Sequence, residues 1–189
     1  MQGGCEGACT LVAYSKKVCL LGDFAVGKTS LVRRFVYNRF DDKYISTIGV
    51  KVSRKVVAVP ASGQVVELTM MLWDMSDSEE LDAVRTSYLR GAAGAVLVCD
   101  LTRPETLERL LAYAEAVQKI EYHLGEYHLG EYHLGEYHLG EYHLGDTHLD
   151  EARIAAMAAH LGAPYFFTSA KTGDEIETLF RQLGRLLVA

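Results

Sequence analysis

One stretch narrows the folding options of this chain more than any other: Gly22-Asp23-Phe24-Ala25-Val26-Gly27-Lys28-Thr29. It fits the phosphate-loop pattern G-x-x-x-x-G-K-[ST] without a gap. Lys17-Val18-Cys19-Leu20-Leu21, just before it, is a short apolar run suited to a buried strand. Ser30-Leu31-Val32-Arg33-Arg34-Phe35-Val36, just after it, carries apolar residues at helical spacing. A strand, a glycine-bearing loop and a helix start in this order aim backbone N–H groups at one point, where the helix dipole favours an anion. Gly27 allows close backbone approach, Lys28 can reach the β- and γ-phosphates, and the Thr29 hydroxyl can hold Mg²⁺. The sequence therefore predicts a site for a nucleoside triphosphate.

The rest of the chain alternates strand-like and helix-like segments. Ile48 to Val59 reads as a strand, Pro60-Ala61-Ser62-Gly63 as a turn, and Val65 to Trp73 as its hairpin partner. Ala95 to Asp100 is a further buried strand. Thr102-Arg103-Pro104-Glu105 has the form of a capping box opening a helix to about Ile120. Asp150 to Leu161 is Ala-rich and helical, and Pro164 to Thr168 is a strand. Thr172-Gly173-Asp174-Glu175 has the form of a second capping box, before the last helix. Such alternation predicts an α/β fold: a mostly parallel central sheet with helices on both faces, the ligand lying outside the carboxyl ends of the strands.

Composition limits the function classes. At 189 residues the chain suits one domain with a full core, after a Gly-rich flexible leader over residues 1–15. A formal net charge of −6 argues against nucleic-acid binding, which draws on a basic stripe. The longest apolar run, Ala92 to Cys99, is too short to span a bilayer. No signal peptide is evident. Gln2 excludes myristoylation and no C-terminal Cys offers a prenylation site, so the expectation is a cytoplasmic protein without a lipid anchor. Cys19 and Cys99 read as small core residues, while Cys5 and Cys9 lie in the leader, where a lone pair is a metal site only if more ligands join it. Nothing in the sequence sets an oligomeric state.

Four stretches together carry a resemblance: Gly22–Ser30, Ser46-Thr47-Ile48-Gly49, Leu72-Trp73-Asp74 and Thr168-Ser169-Ala170-Lys171, with Ser87-Tyr88-Leu89-Arg90-Gly91-Ala92 in support. In order and spacing the chain resembles a Ras-superfamily small GTPase of the Rab-like kind, and the missing lipidation signal is similar to that of bacterial Rab-like proteins. The resemblance covers most of Lys17 to Leu187 and places the domain at 16–189. It implies GTP or GDP as ligand with Mg²⁺ as cofactor, the nucleotide being cradled by Gly22, Asp23, Phe24, Ala25, Val26, Gly27, Lys28, Thr29 and Ser30. Thr47 would meet the γ-phosphate and, with Thr29 and Asp74, the Mg²⁺; Tyr44 would close over the phosphates. The backbone of Ser169, Ala170 and Lys171 would face the base. Residues 40–50 and 74–90 would be the loops that sense the γ-phosphate and meet effector or regulator proteins.

Three departures from the family pattern bear on activity. Where the family writes D-T-A-G-Q-E, this chain has Asp74-Met75-Ser76-Asp77-Ser78-Glu79. Asp77 stands where a glycine N–H meets the γ-phosphate, and a carboxylate there costs Coulomb energy. Ser78 stands where a Gln orients the attacking water. Phosphoryl transfer rests on positioning and charge stabilisation, so the catalytic set Lys28, Thr47 and Ser78 implies slow hydrolysis. Phe24 and Ala25 replace smaller residues, and a bulky Phe24 would block an arginine supplied by a partner. Finally, residues 121–145 are five copies of Glu-Tyr-His-Leu-Gly, in place of the fifth strand and the N-K-x-D box that reads guanine. Asn38 is the only Asn in the chain, so the box is not displaced elsewhere.

The repeat period of five matches neither helix nor strand, and its Tyr/Leu face would change sides at each copy. The expectation is therefore a missing or disordered fifth strand and a gap in the sheet. Its histidines, His123, His128, His133, His138 and His143, are either incidental to a low-complexity loop or a flexible chelator of Zn²⁺ or Ni²⁺. Two functional readings follow. One is a guanine-nucleotide switch with slow hydrolysis; the other is a degenerate interaction module of the same fold that binds nucleotide weakly or without base preference.

Overall fold

The computed structural model describes residues 13–41, 49–61, 63–75, 87–123, 137–141 and 150–189, with backbone only for 119–123 and 137–141. The strands are β1 (Ala13–Gly22), β2 (Val50–Ala61), β3 (Gln64–Met75), β4 (Gly94–Cys99), β5 (Tyr137–Glu141) and β6 (Tyr165–Thr168). The helices are α1 (Lys28–Tyr37), α2 (Glu105–Glu108), α3 (Leu110–His123), α4 (Glu151–Leu161) and α5 (Ile176–Val188). One six-stranded sheet runs in the order β2-β3-β1-β4-β5-β6. Only β2 is antiparallel to its neighbour. That is the mostly parallel α/β sheet the alternation predicts.

Strand alternation splits the core in two. In β1, Val18 and Leu20 join one cluster with Leu31 and Phe35 of α1 and Leu179, Phe180 and Leu183 of α5. Cys19 and Leu21 join the other, with Leu107, Leu110 and Tyr113 before and along α3 and Ile154 of α4. Successive side chains point to opposite faces, so one continuous apolar strand serves both layers. In α5 the buried residues Ile176, Leu179, Phe180, Leu183, Gly184 and Leu187 recur at helical spacing, giving one apolar stripe. Phe180 stacks on Phe35 with ring centroids 3.9 Å apart, which fixes α1 beside α5. Among the described residues, helices thus pack on both faces, and the carboxyl ends of the parallel strands β1, β3, β4 and β6 share one end of the sheet.

Several local expectations need correction. β1 begins at Ala13, inside the stretch assigned to the leader; residues 1–12 lie outside the described residues. β2 runs on through Pro60 to Ala61, which pairs with Gln64, so the connection is shorter than the turn expected over 60–63. Proline is tolerated there because β2 is an edge strand and has no second neighbour to donate to. The helix expected from the box at Thr102 starts only at Glu105 and is divided at Arg109 into α2 and α3. Thr102 Oγ1 donates to Asp100 rather than capping a helix. The second box also fails as a cap: α5 starts at Ile176, and Thr172 Oγ1 bonds Asp174 within a turn. In both places an acidic residue near the threonine competes for the hydroxyl.

The largest correction concerns the repeat. α3 takes in its first three residues, and Tyr137–Glu141 forms β5, pairing in parallel with β4 and β6, so the sheet has no gap there. Parallel ladders are made by backbone groups, and a five-residue strand uses only one repeat period. The change of face that argues against a long strand never occurs within it. Between His138↔Phe166 and Glu141↔Thr168 the register slips by one residue, at Leu139-Gly140, as at a bulge.

Candidate functional site

The loop from Gly22 to Gly27 leaves the end of β1 and turns directly into α1. Gly22 has φ +150°, and a β-carbon there would stand 2.1 Å from the Val98 carbonyl oxygen of β4. Gly27, at φ 96°, is the residue before α1 and allows the left-handed turn into it. Val26 is buried and anchors the loop to the core around α1. Lys28 is only 5% exposed, and its ammonium donates to the carbonyls of Gly22 (3.1 Å) and Asp23 (2.8 Å). The cation is therefore held across the mouth of its own loop. Phe24 is 50% exposed at the rim.

Thr29, in the first turn of α1, meets Asp74 near the end of β3. Its hydroxyl donates to Asp74 Oδ2 at 2.6 Å, across 45 residues of sequence. Asp74 is 1% exposed. A hydroxyl and a carboxylate oxygen brought together in this way make a hard-oxygen pair of the kind Mg²⁺ takes, so these residues fit that ion. Among the described residues no group of three or more His, Cys, Asp or Glu forms another cation site.

Ser169 and Ala170 are buried after β6, and Lys171 is exposed. The turn is held by Gly173 N–H to Ser169 O (2.7 Å), Ser169 N–H to Asp174 O (3.2 Å) and Thr172 N–H to Ser169 Oγ (3.2 Å). Arg34 of α1 donates to Thr172 O at 2.8 Å, and its guanidinium lies against Gly173. Phosphate-loop helix and Ser-Ala-Lys turn are thereby tied together. The structure thus brings Gly22, Asp23, Phe24, Ala25, Val26, Gly27, Lys28, Thr29, Ser30 and Asp74 to one edge of the sheet, with Ser169, Ala170 and Lys171 at the same edge. Tyr44, Thr47, Asp77 and Ser78 lie outside the described residues. So do the side chains of the repeat histidines.

Sequence reasoning missed the groups beside the phosphate loop. Asp100, just after β4, accepts hydrogen bonds from Thr102 N–H (2.9 Å), Thr102 Oγ1 (2.7 Å) and Arg103 Nε (2.9 Å). Burial pushes its carboxyl up, but those hydrogen bonds and the Arg103 charge outweigh burial and hold it below the usual carboxylate value. Its place at a strand's carboxyl end, with Thr102-Arg103 beginning two residues on, was the signal available. Cys19 and Cys99, as expected, are buried core thiols: burial lifts them to about 11 and about 12.

The Ras family model matches residues 17–189, nearly the whole described structure. The chain belongs to the Ras family. It is 30% identical to the Ras-related protein SEC4 of Saccharomyces cerevisiae over 171 residues, covering 90% of this chain and 74% of that protein. It is 31% identical to human Ras-related protein Rab-21 over 176 residues, covering 93% of this chain and 73% of the relative. Against the GTP-binding protein ypt4 of Schizosaccharomyces pombe identity is 33% over 105 residues, 56% of this chain and 45% of that protein. This Ras-family chain thus has Rab-named homologues along most of its length. Among its described residues, no helix is long and apolar enough to cross a membrane.

Proposed function

We propose that the chain is a guanine-nucleotide switch of the cytoplasm that binds Mg²⁺ with GTP or GDP and hydrolyses GTP slowly. The observation that carries this reading is the Thr29–Asp74 oxygen pair at 2.6 Å, on the helix start whose Lys28 ammonium donates to the phosphate-loop carbonyls. Mg²⁺ bound there would offset phosphate charge as a Lewis acid. Lys28 would exchange its loop carbonyls for phosphate oxygens, and the N–H groups of residues 24–29 would bind and orient the anion. Thr47 and Tyr44 would close from the 40–50 loop, and Ser169, Ala170 and Lys171 would present backbone donors to the base.

In hydrolysis, water attacks the γ-phosphorus in line, the bond to the β-phosphate oxygen breaks, and GDP and phosphate leave. By the family pattern Ser78 would be a short orienting group for that water, and Asp77 would bring a carboxylate near developing negative charge. Phe24 is half exposed at the rim, and its bulk would hinder an arginine supplied by a partner. These three residues support slow turnover. Residues 40–50 and 74–90 would report the γ-phosphate to effectors and regulators.

The absence of an N-K-x-D box favours a second reading, an interaction module that binds nucleotide weakly or without base preference. A site rejects a wrong base through polar groups left unpaired, and the usual carboxylate is missing. Titration with fluorescent GTP, GDP and ATP analogues, with and without Mg²⁺, separates the two. Tight, Mg²⁺-dependent and guanine-selective binding upholds the switch. Weak or base-indifferent binding favours the module.

A further inference from the structure

Ala25 is held at φ 56°, a left-handed conformation that a β-carbon disfavours, in a loop without regular structure. Such a conformation persists only where its surroundings over-determine it. Two arginines from a single connection do so. Arg103 Nη2 donates to the Phe24 carbonyl at 2.8 Å while its Nε bonds Asp100 Oδ2 at 2.9 Å. Arg109 Nη1 bonds Asp23 Oδ1 at 3.0 Å, and the same oxygen accepts the Phe24 N–H at 2.9 Å. The connection itself is firm. Thr106 is fully buried, accepts the Asp100 N–H and donates to the Arg103 carbonyl at 2.7 Å, and Leu107 and Leu110 after it sit in the core.

We infer that Arg103, supported by Arg109, is a positioning residue that clamps the outer side of the phosphate loop and so aims the Ala25 N–H at the bound phosphates. In a trans peptide the carbonyl of one residue and the N–H of the next point in opposite directions. Drawing the Phe24 carbonyl outward to Arg103 therefore turns the Ala25 N–H to the loop's other side. A planar fork is needed, because one guanidinium must satisfy Asp100 and Phe24 at the same time. The two contacts differ in weight. Both carboxylates are largely buried, but the Arg109 side chain is 58% exposed and its ion pair is screened, whereas Arg103 is 33% exposed and bonds the loop carbonyl and Asp100 together. Arg103 is thus the principal clamp.

This inference rests on the phosphate-loop reading above, so its test has two independent readouts. In the nucleotide-free full-length chain, Arg103→Ala should speed hydrogen exchange at residues 24–27 while amides of β1 and β4 keep their protection. With fluescent-labelled GDP or GTP, Arg103→Ala should raise the dissociation rate about ten-fold, as expected for one charge-assisted hydrogen bond. Arg109→Ala should change it only about two- to three-fold. Arg103→Lys, which keeps charge and stem, should not restore the rate, since an ammonium cannot span both acceptors. Adding Ala25→Gly, which relieves the left-handed strain, should recover part of the loss in Arg103→Ala. Unchanged loop exchange and unchanged dissociation in a folded Arg103→Ala chain overturn the clamp, as does full rescue by lysine. If the unaltered chain binds no nucleotide, the switch reading fails, and loop exchange still decides the clamp.

Discussion

Gly22→Ala tests the close approach of β1 to β4 on which the site is built. The added β-carbon would stand 2.1 Å from the Val98 carbonyl oxygen, with Val26 Cγ2 at 3.1 Å. Comfortable heavy-atom contact is about 3.5 Å, so the overlap exceeds about 1 Å. The obstacle is backbone in a central strand, paired Gly22↔Val98, and cannot swing aside as a side-chain end would. Overpacking of this kind costs about 1–3 kcal/mol. A non-glycine residue at φ +150° adds about 1–3 kcal/mol of strain. Together they predict a loss of about 2–6 kcal/mol, a large fraction of the 5–15 kcal/mol typical of a domain. For a chain this long that corresponds to a fall in Tm of about 4–24 °C. Gly162→Ala is the control: φ is +68° and nothing lies within 4 Å of its β-carbon position, so it carries strain without clash. Urea titration followed by circular dichroism gives both midpoints. If Gly22→Ala is no more destabilised than Gly162→Ala, the strands do not approach as described.

Lys28→Ala should abolish triphosphate binding, and Mg²⁺·GTP affinity retained in a filter or fluorescence assay would refute the role given to the loop. Ser78→Gln should raise single-turnover GTP hydrolysis roughly ten-fold or more, since misplacement by about 1 Å is worth about 10²-fold; an unchanged rate would shift the blame to Phe24 or the repeat. Asp100 has a lowered carboxyl pKa in the fold, so its stabilisation is present above its unfolded value near 3.9 and is lost as pH falls through the lower folded value. Asp100→Asn should therefore be less stable at neutral pH and flatten the acid limb below about pH 4; an acid limb identical to the parent's would contradict this. Cys19 and Cys99, lifted to about 11 and about 12, should resist alkylation at pH 8 until the chain unfolds, as peptide mass mapping would read, and labelling of either in the folded chain would sink the assignment.

The framework was legible because its signals are local. The phosphate-loop pattern gave a strand, a turn and a helix start within a few residues, and β1, β3, β4 and α5 follow from apolar runs or helical periodicity. The misplaced helix starts share one cause. Thr102 and Thr172 looked like caps by spacing, yet each hydroxyl finds a nearby carboxylate, Asp100 or Asp174, whose position depends on the fold. β5 was illegible for a different reason: its pairing comes from the open edges of β4 and β6, and a backbone ladder is indifferent to the side chains that made the tract look unsuited. Arg34, Arg103 and Arg109 reach across 138, 79 and 86 residues, distances at which one sequence carries no pairing signal.

β5 is one of four identical segments. Tyr-His-Leu-Gly-Glu also begins at Tyr122, Tyr127 and Tyr132. Sliding the strand by one copy preserves every residue-to-residue pair with β4 and β6 and merely transfers five residues from one flanking connection to the other. Loop-closure entropy varies only with the logarithm of length, so such a transfer changes the free energy by less than about 1 kcal/mol. The central sheet therefore contains a strand whose identity is set by the lengths of the tethers on either side rather than by side-chain recognition. Gain or loss of a repeat unit alters those tethers and leaves the pairing chemistry as it is.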